Sequence, residues 1–148
     1  MDNLTPEQRR KNMQAIKSKG TSIELLLARR MWAEGIRYRK NTASVIGRPD
    51  FTIKKYKIAI FCDSEFFHGK DWENQKERIK SNREYWIPKI ENNMLRDSKV
   101  NYELGMQGWT VIRFWGKDIK NDIEGCIKII KSYIILAQIR NESKGNAF

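Results

Sequence analysis

Four residues, Lys54-Lys55-Tyr56-Lys57, separate two apolar runs, Phe51-Thr52-Ile53 and Ile58-Ala59-Ile60-Phe61-Cys62, and this spacing calls for an antiparallel hairpin. With the turn centred on Lys55 and Tyr56, Phe51, Ile53, Ile58, Ile60 and Cys62 share one face of the sheet. Asp50 and Asp63, the acids at the outer ends of the two runs, fall on the other. They become cross-strand neighbours, opposite or diagonal, ~5–8 Å apart. Carboxylates that close repel one another unless something positive stands between them, and a divalent cation does so while also bridging phosphate oxygens.

The only histidine of the chain, His68, follows shortly after Asp63. Its ordinary pKa lies near neutrality, so it suits the removal of a proton from an attacking water. Magnesium fits the oxygen donors best, and an ion held by Asp50 and Asp63 would polarise a phosphodiester. Each residue also has a plainer explanation. Either acid alone serves as a strand-end residue, and a single histidine as a packed or surface residue. Their joint occurrence around one hairpin points to metal-dependent phosphodiester cleavage.

Charge agrees with that chemistry. Lys and Arg outnumber Asp and Glu by 29 to 18, for a net charge of +11 and an isoelectric point near 9.8, which suits a polyanionic partner such as nucleic acid. The chain has 148 residues, 40% of them hydrophobic, enough for one core without disulfide or metal staples. Cys62 and Cys126 fall in a buried strand and a helix, which indicates neither a disulfide framework nor a zinc cluster. No signal peptide and no membrane-spanning run is evident, so a bacterial-type cytoplasmic, nucleoid-associated location is expected.

Thr5-Pro6-Glu7-Gln8 reads as a capped helix start, and the segment beyond it carries Arg9, Arg10, Lys11, Asn12, Met13, Lys17 and Lys19 before Gly20. It is either a solvated surface helix or an arm lying on phosphates. Thr21 or Ser22 caps a second helix with Ile23, Leu26, Leu27 and Met31 on its packing face, ending at Gly35. Glu24 in its first turn offsets the helix dipole. Ile36-Arg37-Tyr38-Arg39 alternates like a strand. Residues 71–82 read as a polar loop or short helix. Glu84 to Gly108 is helical, irregular near Pro88, with Ile90, Met94, Leu95 and Leu104 buried. Trp109 to Trp115 is a strand. One last helix, from about Lys117 to Ile139, packs through Ile119, Ile123, Ile127, Ile130 and Ile134. The organisation expected is a basic DNA-binding arm over 1–20, an endonuclease domain over 21–140 and a flexible tail over 141–148.

Pro49-Asp50 followed by Asp63-Ser64-Glu65 is similar to the proline-aspartate, acid-x-lysine nuclease skeleton, with Glu65 at the lysine position. The surrounding residues are more specific. In order, Arg10-Lys11-Asn12-Met13, Ser22-Ile23-Glu24, Gly47-Arg48-Pro49-Asp50-Phe51, Phe66-Phe67-His68, Arg96-Asp97 and Gly108-Trp109 make the chain resemble the very short patch repair DNA mismatch endonucleases.

That resemblance implies an α/β, restriction-endonuclease-like fold, a central mixed β-sheet flanked by helices. It implies an enzyme that nicks one DNA strand beside a T:G mismatch with magnesium. Asp50 would match the principal metal-binding aspartate, with the Cys62 carbonyl as a further oxygen. His68 would match the catalytic histidine, Asp97 the acid that orients it, and Glu24 the acid behind a second histidine, which is Asp63 here. Phe66, Phe67 and Trp86 match the aromatic wedge next to the mismatch, where unstacking costs least. Met13 would approach from the other groove. The positions of the family's structural zinc hold Glu65, Lys70, Trp72 and Lys117, so no zinc is expected and the loop must be braced by packing or charge pairs.

The reading is therefore a monomeric, magnesium-dependent nuclease acting on double-stranded DNA, matched or mismatched. A restriction-linked or mobile-element nuclease that cuts matched DNA keeps the same fold and chemistry. A DNA-binding domain without catalysis is a third reading.

Overall fold

The computed structural model describes residues 21–145. The element order is α1 (Ser22–Ala33), β1 (Arg39–Lys40), β2 (Phe51–Ile53), β3 (Ile58–Asp63), α2 (Trp72–Arg78), α3 (Arg83–Met106), β4 (Thr110–Trp115), α4 (Gly116–Asn121) and α5 (Ile123–Gly145). The strands form one sheet in the order β1-β2-β3-β4, antiparallel except for the parallel β3–β4 pair. A parallel neighbour needs a crossover, and α2 and α3 supply it. The fold is the expected α/β class, a mixed sheet flanked by helices.

The hairpin forms as its spacing dictates. Phe51 pairs with Ile60, Thr52 with Ala59 and Ile53 with Ile58, and a single 3₁₀ turn over Lys54–Tyr56 closes the loop, with Lys57 left-handed at φ 51°. Alternation then sends Phe51, Ile53, Ile58 and Ile60 into the larger core, against Leu27, Met31, Ile119, Ile127 and Ile130 of α1, α4 and α5. Ala59 and Phe61 face the other way, onto Leu104 of α3. Because both faces of β3 are covered, its run is continuously apolar rather than alternating.

α1 begins where expected. Thr21 Oγ1 accepts the N–H of Glu24 at 3.3 Å while Glu24 Oε2 accepts the N–H of Thr21 at 3.3 Å, a reciprocal capping box. The buried stripe is Glu24, Leu27, Ala28 and Met31, spaced i, i+3, i+4, i+7, whereas Leu26 is exposed. A carboxylate therefore lies on the inward face of the helix, next to the end of β2.

Several expected elements differ. The strand read at Ile36 to Arg39 is only Arg39–Lys40, because Tyr38 turns inward to pack edge-on against Phe51 and donate its hydroxyl to Ala28 O. Residues 72–78 form a short helix, one of the two forms expected there. α3 runs through Pro88, which stands in its second turn, and Leu95 lies off its buried stripe. The last helix is two. The chain breaks at Asp122, whose Oδ1 accepts the N–H of Gly125 at 3.1 Å and so caps α5. α5 continues to Gly145, so residues 141–145 of the segment expected to be loose are helical. The basic arm over 1–20, with Arg10, Lys11, Asn12 and Met13, and the last residues 146–148 lie outside the described residues.

Gly47 starts the turn that delivers Asp50. Its φ is +80°, and a Cβ placed there would stand 2.5 Å from Val100 Cγ1 of α3. Gly47→Ala should therefore cost ~1–3 kcal/mol and lower the melting temperature by several degrees. An unchanged thermal unfolding curve would show that the turn does not depend on this close approach.

Candidate active site

The carboxyl ends of β3 and β4, the turn before β2 and the inner faces of α1 and α3 surround a cleft of ≈ 240 Å³. Glu24, Asp50, Asp63, His68, Asp97 and Arg113 line it. A larger groove of ≈ 670 Å³, beside Ile53, Tyr56 and Ile134, contains none of these residues.

Asp50 stands one residue before β2, after a buried proline and a left-handed Arg48 at φ 48°. Its Oδ2 accepts the N–H of Cys62 at 2.7 Å, continuing the ladder by a side chain where the backbone of β2 has ended. In an antiparallel pair the N–H and C=O of one residue point to the same neighbour, so the Cys62 carbonyl is directed to this side as well. Burial pushes the Asp50 carboxyl up to about 7, and the nearby Glu24 adds to the rise while the Cys62 N–H opposes it.

The second group gathers at the end of β3. Asp63 is buried, with both carboxylate oxygens on Arg113 Nη1, at 3.2 and 3.1 Å, and one oxygen 3.8 Å from His68 Nδ1. Burial raises its pKa and the charges of Arg113 and His68 oppose that rise. His68 Nδ1 lies 2.6 Å from Asp97 Oδ2, and the other Asp97 oxygen is 3.5 Å from Arg113. Ligand atoms of Asp63, His68 and Asp97 lie within 4.8 Å of one another.

Asp50 and Asp63, expected as neighbours, line one cleft. Within it Asp50 faces Glu24 and the Cys62 N–H, and Asp63 faces Arg113 and His68. Arg113 was missed, although its sequence signal is plain: it is the one charge in the apolar strand Thr110–Trp115. α3 adds Asn93 and Asn101, two residues not singled out from the sequence, on either side of the expected Asp97. Asn93, Asp97 and Asn101, four residues apart and so on one face, bind Phe67 O at 3.0 Å, His68 at 2.6 Å and Arg113 Nε at 2.7 Å.

Phe66, Phe67 and Trp86 form one aromatic cluster, with ring centroids 5.2–6.0 Å apart; Phe66 is exposed. The loop that carries Phe66 and Phe67 is held by direct bonds, while Trp86 stands in the first turn of α3. Ser64 Oγ accepts the Phe67 N–H at 3.1 Å and Glu65 Oε1 accepts the Lys117 N–H at 2.6 Å. Lys70 lies 5.8 Å over the Trp115 ring, and the Trp72 indole donates to Glu91 at 3.2 Å. Each of Glu65, Lys70, Trp72 and Lys117 thus takes part in bracing the loop or its flanks by charge, ring or backbone contact.

Residues 1–74 match the family model described as DNA mismatch endonuclease Vsr. Relatives agree along most of the chain. It is 54% identical over 134 residues to the type II nicking enzyme V.NmeDIP of Neisseria meningitidis serogroup C, covering 90% of each chain. It is 58% identical over 134 residues to the type II nicking enzyme V.HpaIIP of Haemophilus parainfluenzae, covering 89% of this chain and 95% of the other. The chain belongs to the Vsr family. The DNA mismatch endonuclease Vsr of Escherichia coli strain K12 is 36% identical over 108 residues, 72% of this chain and 68% of that one. As a Vsr-family member the chain is a DNA endonuclease, a hydrolase with DNA as its substrate. Among the described residues no helix is long and apolar enough to cross a membrane.

Burial works against the charged form of His68, but the Asp97 hydrogen bond and the Asp63 charge outweigh it and raise its pKa above the usual 6.5. Protonated His68 consequently favours the fold below about pH 6.5, and the contribution is lost as pH rises through the higher folded value. With one histidine in the chain, an NMR titration of the metal-free protein reads this directly. The midpoint should lie above 6.5 and fall in Asp97→Asn; a wild-type midpoint at or below 6.5 would contradict this account.

Proposed function

We propose that this endonuclease uses magnesium to nick one strand of duplex DNA beside a T:G mismatch, acting as a monomer. The observation that carries the reading is the division of one cleft into two walls. Oxygen donors, Asp50 with the Cys62 carbonyl, stand on one; His68, held at Nδ1 by Asp97, stands on the other.

The donor set fits magnesium. Carboxylate and carbonyl oxygens are its preferred ligands, and Glu24 places a second carboxylate beside Asp50, adding to the rise that burial gives the Asp50 carboxyl. Asp50 and the Cys62 carbonyl would hold the ion, with Glu24 behind Asp50. When bound, the ion polarises the scissile phosphate and makes the attacking water more acidic. Asp63 lines the same cleft, but its carboxylate is engaged by Arg113, and we assign it to the histidine side.

His68 takes the proton from the attacking water. With Nδ1 bound to Asp97, Nε2 is the nitrogen that accepts it, and Asp97 stabilises the imidazolium that results. Phe66, Phe67 and Trp86 wedge into the base stack, and Arg10, Lys11, Asn12 and Met13 of the arm hold the duplex. Inserting a wedge costs least at a mismatched step, which favours the T:G site. The Escherichia coli relative is named a DNA mismatch endonuclease, which supports this substrate. A second reading, a restriction-linked or mobile-element endonuclease cutting matched DNA, is favoured by the zinc positions of the resemblance, which here hold Glu65, Lys70, Trp72 and Lys117, three of them not metal ligands.

End-labelled duplexes, matched and T:G-mismatched in several contexts, separate the readings. The wild type should nick only the mismatched duplex with magnesium and neither with EDTA, and Asp50→Ala or His68→Ala should slow cleavage ~10²-fold or more. Equal cutting of matched DNA would favour the second reading; binding without cutting by the wild type would overturn both.

A further inference from the structure

Arg113 stands in the middle of the site and has no role in the chemistry described so far. It projects from β4 on the same face as Phe61, its register partner on β3, and its guanidinium carbon lies 4.1 Å over that ring. Nη1 reaches both oxygens of Asp63 and lies 3.5 Å from Asp97 Oδ1, while Nε donates to Asn101 Oδ1 at 2.7 Å. One side chain thus ties the end of β3 to two successive turns of α3. Asp97 is shared between Arg113 on one oxygen and His68 on the other.

We propose that Arg113 is a positioning residue of the endonuclease, gripping Asp63 and Asp97 together so that His68 is held at one orientation toward the cleft. A buried carboxylate, Asp63, and a half-buried one, Asp97, beside one imidazole repel each other, and without a cation between them one would turn away. Arginine suits this place better than lysine. Its planar fork makes several directed bonds at once and stacks on an aromatic face, whereas an ammonium is a point charge. Asn101 and Phe61 fix the guanidinium itself, so its grip on the carboxylates is preset rather than found by a mobile side chain.

The inference rests on the reading of His68 as the proton acceptor, so the experiment includes His68→Ala. Single-turnover nicking is measured beside DNA affinity for the wild type, Arg113→Ala, Arg113→Lys and His68→Ala. Misplacing a catalytic group by about 1 Å costs ~10²-fold in rate, and Arg113→Ala should lose about that much with DNA affinity within about twofold of wild type. Added guanidinium ion should restore much of the rate; urea and sodium chloride at the same concentrations should not. Arg113→Lys should fall between wild type and alanine. The His68 ring-proton NMR signal should move in both variants and return with guanidinium.

Full activity in Arg113→Ala beside an inactive His68→Ala would overturn the assignment. So would a loss that guanidinium does not restore in a folded protein. If the alanine variant does not fold, the lysine variant decides, because a wild-type rate there would remove the need for a fork. A fully active His68→Ala would instead overturn the reading of the site on which the inference stands.

Discussion

Cys62 gives its N–H to the side chain of Asp50 rather than to a backbone carbonyl, and this 2.7 Å bond joins the end of a buried ladder to the centre of the cleft. β2 stops at Phe51, and the next partner of β3 would be Pro49 or Asp50. The carboxylate takes the place of a missing strand residue. Its position therefore inherits the precision of the β2–β3 register, which the packing of Phe51, Ile58 and Ile60 fixes. A slip of one residue would turn Asp63 into the core and Cys62 into the cleft.

Negative charge in the cleft opposes the charge of the chain as a whole. Glu24, Asp50, Asp63 and Asp97 gather in one small space within a protein of net charge +11. The overall excess suits the DNA polyanion over a distance comparable to the Debye length, whereas the acids are gathered at short range in the lining of the cleft. Burial raises the pKa of both Asp50 and Asp63, yet their partners differ: another carboxylate for one, an arginine for the other. That difference divides the site into its two walls.

Much of this was legible in residue order. The hairpin, its faces and the convergence of Asp50 and Asp63 follow from period-two alternation and the four-residue turn, because register leaves side chains no other choice. The capping box at Thr21 and Glu24 is equally local. Leu26 and Leu95 fit the apolar spacing of their helices yet are exposed, because the inward stripes pass through Glu24 on α1 and Asp97 on α3. Polar residues on an inward stripe mark a site, and hydrophobicity alone passes over them. The break at Asp122 was a local signal, a capping aspartate, hidden within a continuous isoleucine stripe.

By itself the sequence determined the class of fold, the helix starts and which acids share a sheet face, since these depend on spacing along one chain and on backbone sterics. The resemblance in its ordered motifs determined the family. The partners of those acids were decided only by the tertiary structure. Arg113 meets Asp63 from fifty residues away, and Asp97 meets His68 from twenty-nine. No local periodicity encodes such pairs. They form because a parallel crossover sets β4 against β3 and lays α3 over their ends, and because buried charges must then find partners among whatever side chains that packing brings within reach.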